Sequence, residues 1–452
     1  MRRALVRVAR RLARAGFVRP FVRLIARDAL WEAGPWRHSA PPRVTLLALT
    51  PQRFRGDLEI LNNSGAVRII ELPEKWQRGL LALYWTPEMS REIDLKREYF
   101  SDDIPDWIKE IQRQYRKFLT ALIPPLFRRL KIDAVISAAI WYQQDYDWGV
   151  ISERLGTPYI VLQAENLATA PGQVRRLVYN ASMIGKFSGS CIIVHNEVCR
   201  DAFIEAGFIE ADKIQALGAL RMDELLDRIA DARRQGNSRG RKRVTLFSFH
   251  RGAGLWGLTE PWPTDRAQGL TQYFEAVHGA IGELALEFPD VDFVIKPKWG
   301  GSWIGEIERV LQANNVDRAA RSNLEILPDA NAHELILRSN IVCGYGSTTL
   351  LEAGIAGKKV IMPLFYETTR PEYQDFLHFR DELDMFVVPS SPDEFKDEIR
   401  KALASDEVDQ RRLDLCCRAF ERHISSLEGG TLDKYLSVIS GTIDRRADAT
   451  HR

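Results

Sequence analysis

Twice along this chain, short apolar runs alternate with longer segments of helical periodicity, and nothing else in the sequence restricts the fold as much. The first half contains the runs Val44–Leu49, Val67–Leu72, Asp133–Ser137, Tyr159–Leu162, Cys191–Val194 and Lys213–Gly218. The second contains Val244–Phe249, Phe293–Lys296, Leu324–Leu327, Asn340–Cys343, Val360–Pro363 and Met385–Val388. Unbroken apolar runs this short suit strands covered by helices on both faces, the condition of a parallel sheet. The alternation therefore predicts an α/β chain of two Rossmann-like, doubly wound domains. Such sheets take ligands beyond the carboxyl ends of their strands, so two of them facing each other would share a cleft. Between Arg233 and Arg243 the chain is polar, basic and glycine-containing, with nothing to bury, and reads as a linker. The expected division is a basic N-terminal segment over 1–40, a first domain over 41–232, a linker over 233–243, a second domain over 244–440 and a polar tail over 441–452.

Composition narrows the partners. Lys+Arg 63 against Asp+Glu 61 gives a formal net charge of +2, which argues against nucleic acid. Hydrophobic residues at 45% and charged residues at 27% are ordinary for a soluble enzyme. The five cysteines, scattered and without metal-ligand spacing, point to reduced thiols in the cytoplasm. No apolar run approaches the roughly 20 residues that span a bilayer. From Met1 to Ala26, however, eight arginines and no acidic residue interleave with Leu5, Val8, Leu12, Phe17, Phe21, Leu24 and other apolar residues. That basic amphipathic pattern suits a helix lying on an anionic membrane surface, and so a peripheral place on the inner face of the cell membrane.

The most informative segment is Asn340-Ile-Val-Cys-Gly-Tyr-Gly-Ser-Thr-Thr-Leu-Leu-Glu352. A strand ends, Gly344 and Gly346 allow a sharp turn, and Ser347 can cap a helix that opens with Thr348 and Thr349. The first N–H groups of that helix lie at its positive end, where they can hold a phosphate. Glu352 shares a face with Thr348 one turn further on, where a carboxylate could accept hydroxyls of a ribose or sugar.

This segment resembles the donor-binding turn and helix of GT-B glycosyltransferases, particularly those that build bacterial surface carbohydrates (capsule, lipopolysaccharide, teichoic acid). They read roughly Gly-x-Gly/Asn-Ser-Thr-x-x-x-Glu-Ala, followed by Gly-Lys-x-Val-Ile-x-Pro. Val294-Ile-Lys-Pro297 and Ile214-Gln-Ala-Leu-Gly-Ala-Leu-Arg-Met-Asp223 are similar to two further family patterns, and the resemblance covers most of residues 130 to 440. It implies a glycosyltransferase that needs no metal or bound cofactor. A nucleotide sugar would be its co-substrate, and a polysaccharide or lipid-linked saccharide its acceptor. Lys298 stands where many relatives have histidine, which weakens a histidine-dependent reading there.

Sugar transfer requires stabilisation of the departing phosphate charge and, usually, a base for the acceptor hydroxyl. Candidates for the first are the Ser347–Thr349 helix start, Arg251 after the first strand of the second half, Lys296 and Lys298, with His250 assisting. Candidates for the base are Asp145 and Asp147, with Glu165 and Asp57 also near strand ends. Asp145-Tyr-Asp147 matches the Asp-x-Asp of metal-dependent transferases as well, but its doubly wound setting does not fit that use. Thr368-Thr-Arg-Pro-Glu372 resembles the Thr-Glu-Arg-Pro-Glu of UDP-N-acetylglucosamine 2-epimerases, which makes an isomerase the principal alternative, with Glu372 near the sugar in either case. Those enzymes carry a Ser-Gly-Gly turn and an acidic pair, where this chain has Gly-Ser-Thr-Thr and Glu352 alone. A CDP-polyol phosphotransferase of the teichoic-acid type and a degenerate GT-B subunit without turnover are further alternatives.

Overall fold

The computed structural model describes residues 2–86, 89, 99–100, 104–235, 240–251, 269–298, 300–318 and 322–450. Linker residues 236–239, and Gly252 and Gly254 beside Arg251, lie outside them. The chain divides into two compact units. The first comprises Met1–Asn166, Leu177–Asp223 and Gly430–Arg452, and the second Leu167–Arg176 and Glu224–Gly429.

The first unit holds strands β1 (Val44–Leu49), β2 (Val67–Glu71), β3 (Ala134–Ser137), β4 (Tyr159–Leu162), β5 (Cys191–Val194) and β6 (Ile214–Ala216), in the order β2-β1-β3-β4-β5-β6. The pairing is parallel, with Leu46 opposite Ala134. Side chains alternate across a strand, so β1 sends Leu47 and Leu49 into one core and Leu46 and Ala48 into the other. That two-sided burial is why the run is continuously apolar. The helices Arg19–Ala33 and Asp106–Leu130 cover the first face through Phe21, Ile25, Leu119 and Leu122.

The second unit holds β7 (Arg243–Phe247), β8 (Asp292–Lys296), β9 (Leu324–Ile326), β10 (Ile341–Gly344) and β11 (Lys359–Ile361), in the order β11-β10-β7-β8-β9, again parallel. The chain reverses its direction of winding between β1 and β3 in one sheet and between β7 and β10 in the other. At such switch points the loops leaving the two strands diverge and open a crevice.

Three expectations are corrected. The Met385–Val388 run does not form a strand; it makes a single parallel bridge, Val387 with Ile361. Met362 donates to Val387 and Leu364 to Pro389, but Pro363 and Pro389 have no N–H with which to extend the ladder. The basic linker, though exposed, is structured over its described length rather than a free tether. Helix Met222–Gln235 runs through its start, and Lys242 donates to the Leu403 carbonyl at 2.8 Å, with Arg243 beginning β7. The second domain does not run to 440, nor is 441–452 a tail, because helix Thr431–Thr450 belongs to the first unit. Tyr435 and Ile439 lie in its core, and the Tyr435 hydroxyl donates to the Gly218 carbonyl at 2.9 Å.

Candidate functional site

In the second unit, β7 and β10 flank the switch point, and the loops leaving them carry most of the residues that the sequence singles out. After β10, Gly346 adopts φ 56°, a conformation natural to glycine. Ser347 is extended (φ −128°, ψ 145°) and caps helix Thr348–Ile355; its hydroxyl oxygen accepts the Thr349 N–H at 3.3 Å and the Thr349 hydroxyl at 2.8 Å. Residues 346–349 are half-buried. Gly344 packs more tightly; a Cβ there would lie 3.2 Å from Leu350 and 3.3 Å from the Phe247 carbonyl oxygen.

Glu352 lies beneath the turn with its side chain 3% exposed and one carboxylate oxygen 3.5 Å from His333 Nε2. It is thus shielded rather than presented at the surface. His333 carries no sequence motif and is found only in three dimensions.

After β7, Ser248 is bound on both sides. The His278 ring donates from Nδ1 to the Phe274 carbonyl at 2.7 Å, which leaves Nε2 to accept the Ser248 hydroxyl at 2.9 Å, while Trp303 donates to the same oxygen at 3.1 Å. Complete burial lowers the His278 pKa to about 4, in keeping with that neutral tautomer. These bonds hold the loop entering His250 and Arg251. His250 packs edge-to-face with Trp303 at 5.5 Å and is half-buried; burial lowers its pKa, opposed by Glu306. Arg251 is 3.9 Å from Glu306 and, with Thr271, Glu275 and Arg309, lines a cavity of about 300 Å³. No residue of the 344–349 turn lines that cavity.

Lys296 ends β8. Its ammonium donates to the carbonyls of Pro297 (3.0 Å) and Pro328 (2.6 Å), and partial burial lowers its pKa, opposed by Asp329. It ties two loops together at the carboxyl edge of the sheet. Lys298 and Glu372 are both exposed, Lys298 on the loop after β8 and Glu372 in the short helix Pro371–Gln374. Their neighbour Glu367, not anticipated from the sequence, is buried and accepts the N–H groups of Gln272 (2.8 Å) and Tyr273 (2.9 Å) at the start of helix Thr271–Glu287. That contact anchors the Thr368–Glu372 loop.

His378 was also not legible. Its Cδ2 would lie 2.9 Å from a Cβ on Gly346, so its ring rests on the turn between β10 and the capped helix. Thr169 Oγ1 accepts the Phe379 N–H at 2.9 Å and lies 3.3 Å from His378 Nδ1. Burial, reinforced by His423, lowers the His378 pKa to about 4.

In the first unit, Asp145 and Asp147 sit on helix Gln143–Arg154. Positions two apart on a helix face opposite ways, so the two carboxylates diverge and cannot share a metal ion. Asp145, fully buried at the β1/β3 switch point, accepts the Thr50 hydroxyl at 2.6 Å and the Gln77 amide. Desolvation raises its pKa to about 7, partly offset by those two bonds. Asp147 is 1% exposed, bound by the Tyr99 hydroxyl and, at 2.8 Å, by Arg116. Asp57 is also buried, its pKa raised by desolvation against the pull of Arg221. Among these four acids Glu165 alone is exposed; it accepts the Tyr142 hydroxyl at 3.1 Å, with Arg53 over the Tyr142 ring at 5.4 Å.

No protein-family model and no curated protein matches this sequence. Solved structures do. The fold is similar to that of a protein provisionally assigned as a UDP-N-acetylglucosamine 2-epimerase from Listeria monocytogenes, with a TM-score of 0.51 and 12% identity over 89% of this chain and 97% of that one. Two further similar structures are the UDP-GlcNAc 2-epimerase of Neisseria meningitidis bound to UDP-GlcNAc (TM-score 0.47, 12% identity, 89% and 99% covered) and an α,α-trehalose 6-phosphate synthase of Burkholderia multivorans (TM-score 0.48, 11% identity, 91% and 99% covered). The chain is an α/β protein of two Rossmann-like halves of the GT-B kind, with basic helices at its N-terminus.

Proposed function

We propose that the chain is a glycosyltransferase that moves a sugar from a nucleotide-activated donor to a surface-polysaccharide or glycolipid acceptor on the cytoplasmic side of a membrane. One observation supports this reading: a half-buried turn at the β7/β10 switch point, capped by Ser347, with a shielded Glu352 one helical turn below. In this reading the N–H groups at the helix start hold the donor diphosphate and stabilise the charge that develops as the glycosidic bond breaks. Glu352 takes ribose hydroxyls once the ligand displaces the His333 contact. Glu165, exposed and oriented by Tyr142, is the candidate base in the first unit. Asp145 and Asp147 hold the first unit together instead.

The epimerase reading accounts for the fold equally well and is favoured by the Thr368–Glu372 loop, which Glu367 anchors at the edge of the same sheet. Incubation with UDP-N-acetylglucosamine and no acceptor separates the two. Conversion to the 2-epimer would establish the isomerase; its absence, with transfer once an acceptor is supplied, would establish the transferase. The donor site itself is tested by thermal shift against nucleotides and nucleotide sugars. A ligand at 100 times its Kd adds about 2.7 kcal/mol by mass action. Ser347→Ala and Glu352→Ala should each reduce that shift, and a shift equal to wild type in both would place the nucleotide elsewhere.

A further inference from the structure

The N-terminal helices divide their apolar residues between two destinations. On helix Arg19–Ala33, Phe21, Val22, Ile25, Ala26 and Ala29 enter the core of the first unit, with Phe21 edge-to-face on Phe118 at 5.3 Å. That inner face is fully used, yet the outer one still carries large apolar side chains: Leu24 is 41% exposed and Trp31 85%, and Phe17, in the turn leading in, is 61% exposed. Leu24 and Trp31 are seven residues apart, which on a helix means one side and a spacing of about 10 Å, and Phe17 stands just before the helix. Arg23 and Arg27, both exposed, lie on the same side. Between residues 7 and 33 there are seven arginines against two acids, Asp28 and Glu32. Asp28 is paired with Lys75 at 2.9 Å and with Arg27 at 3.1 Å, and Arg27 keeps 72% of its side chain exposed, so seven arginines against two acids leave the surface with a positive balance.

An exposed tryptophan and leucine on the same side as arginines match the two layers of a membrane surface, apolar boundary below and phosphates above. A protein groove could take the aromatics, but the excess of arginine fits a surface of repeating negative charge. Among the described residues no helix is long and apolar enough to cross a membrane, so contact would be with one leaflet only. We propose that this outer face docks the protein on an anionic phospholipid bilayer, with Phe17, Leu24 and Trp31 entering the interface and Arg23 and Arg27 meeting lipid phosphates. Because Phe21, Val22 and Ile25 belong to the core, the apolar footprint is small and attachment is reversible and salt-sensitive.

The inference stands apart from the transferase reading, since vesicle binding is measured without donor or acceptor. The full chain is sedimented with vesicles of phosphatidylcholine alone and of equimolar phosphatidylcholine and phosphatidylglycerol. Binding is expected to the mixed vesicles only, weakening as salt is raised. Trp31→Ser should lower the partition at least tenfold, and Arg23→Gln and Arg27→Gln roughly fivefold each. All three positions are exposed, so Tm and any nucleotide-induced shift should match wild type in each variant. Equal binding to both vesicles, no binding to either, or undiminished binding by Trp31→Ser would overturn the proposal. So would a dimer in solution that Trp31→Ser dissociates, because the face would then belong to a second copy.

Discussion

Gly346 shows how much one residue can carry at this site. Its positive φ turns the chain from β10 into the capped helix, and its missing Cβ admits the His378 ring. Gly346→Ala would suffer on both counts: about 1–2 kcal/mol for an L-residue in the left-handed region, plus displacement of the imidazole. A Tm lowered by several degrees and a lost nucleotide-induced shift are expected, where Ser347→Ala should cost only about 1 kcal/mol for the missing cap. An unchanged Gly346→Ala melting curve would mean the turn is looser than described. This part of the site was legible beforehand, because glycine turns and serine caps act on neighbours in sequence. His378 was not: it meets Gly346 from 32 residues away and is held by Thr169, in a chain segment far earlier still. No local pattern encodes that contact.

At the level of elements, the strands were the most readable feature because burial on both faces forces continuous apolar runs. Where the reading failed, it failed through hydrogen-bond capacity, as at Met385–Val388, whose neighbours Pro363 and Pro389 lack donors. The Asp145-Tyr-Asp147 match to a metal motif, set aside in the sequence for its doubly wound setting, falls on helix Gln143–Arg154, where a two-residue spacing sends the side chains apart. The buried Asp145 makes a measurable prediction. Its pKa rises from 3.8 in the unfolded chain to about 7 in the fold. Below pH 4 the carboxyl is protonated in both states. As pH climbs toward 7 the unfolded chain ionises it while the folded chain does not, so stability falls across that window, by on the order of 2–4 kcal/mol. Asp145→Asn keeps an oxygen for Thr50 and Gln77 but cannot ionise. Its Tm should match wild type near pH 4 and exceed it at pH 8; parallel pH profiles would show that the carboxyl is ionised in the fold.

At the level of the whole chain, the two-unit α/β architecture was evident from the doubled alternation, but the ownership of the last helix was not. Periodicity reveals an amphipathic helix without saying which sheet it covers. Thr431–Thr450 returns to the first unit, closing over Leu46, Leu58 and Leu61 with Tyr435 and Ile439. The second unit is therefore threaded through the first like an insertion, entered and left along the chain, and completed before the final helix is made.

That threading sets an order of dependence. A chain shortened at Gly429 would keep every strand of the second unit and its Ser347 turn, yet would uncover an apolar face on the unit that carries Glu165. Such a truncation should still bind a nucleotide while its first unit melts early or aggregates, visible as a split thermal transition of which only the upper part responds to ligand. If a single cooperative transition survived, the closing helix would be an ornament rather than a keystone.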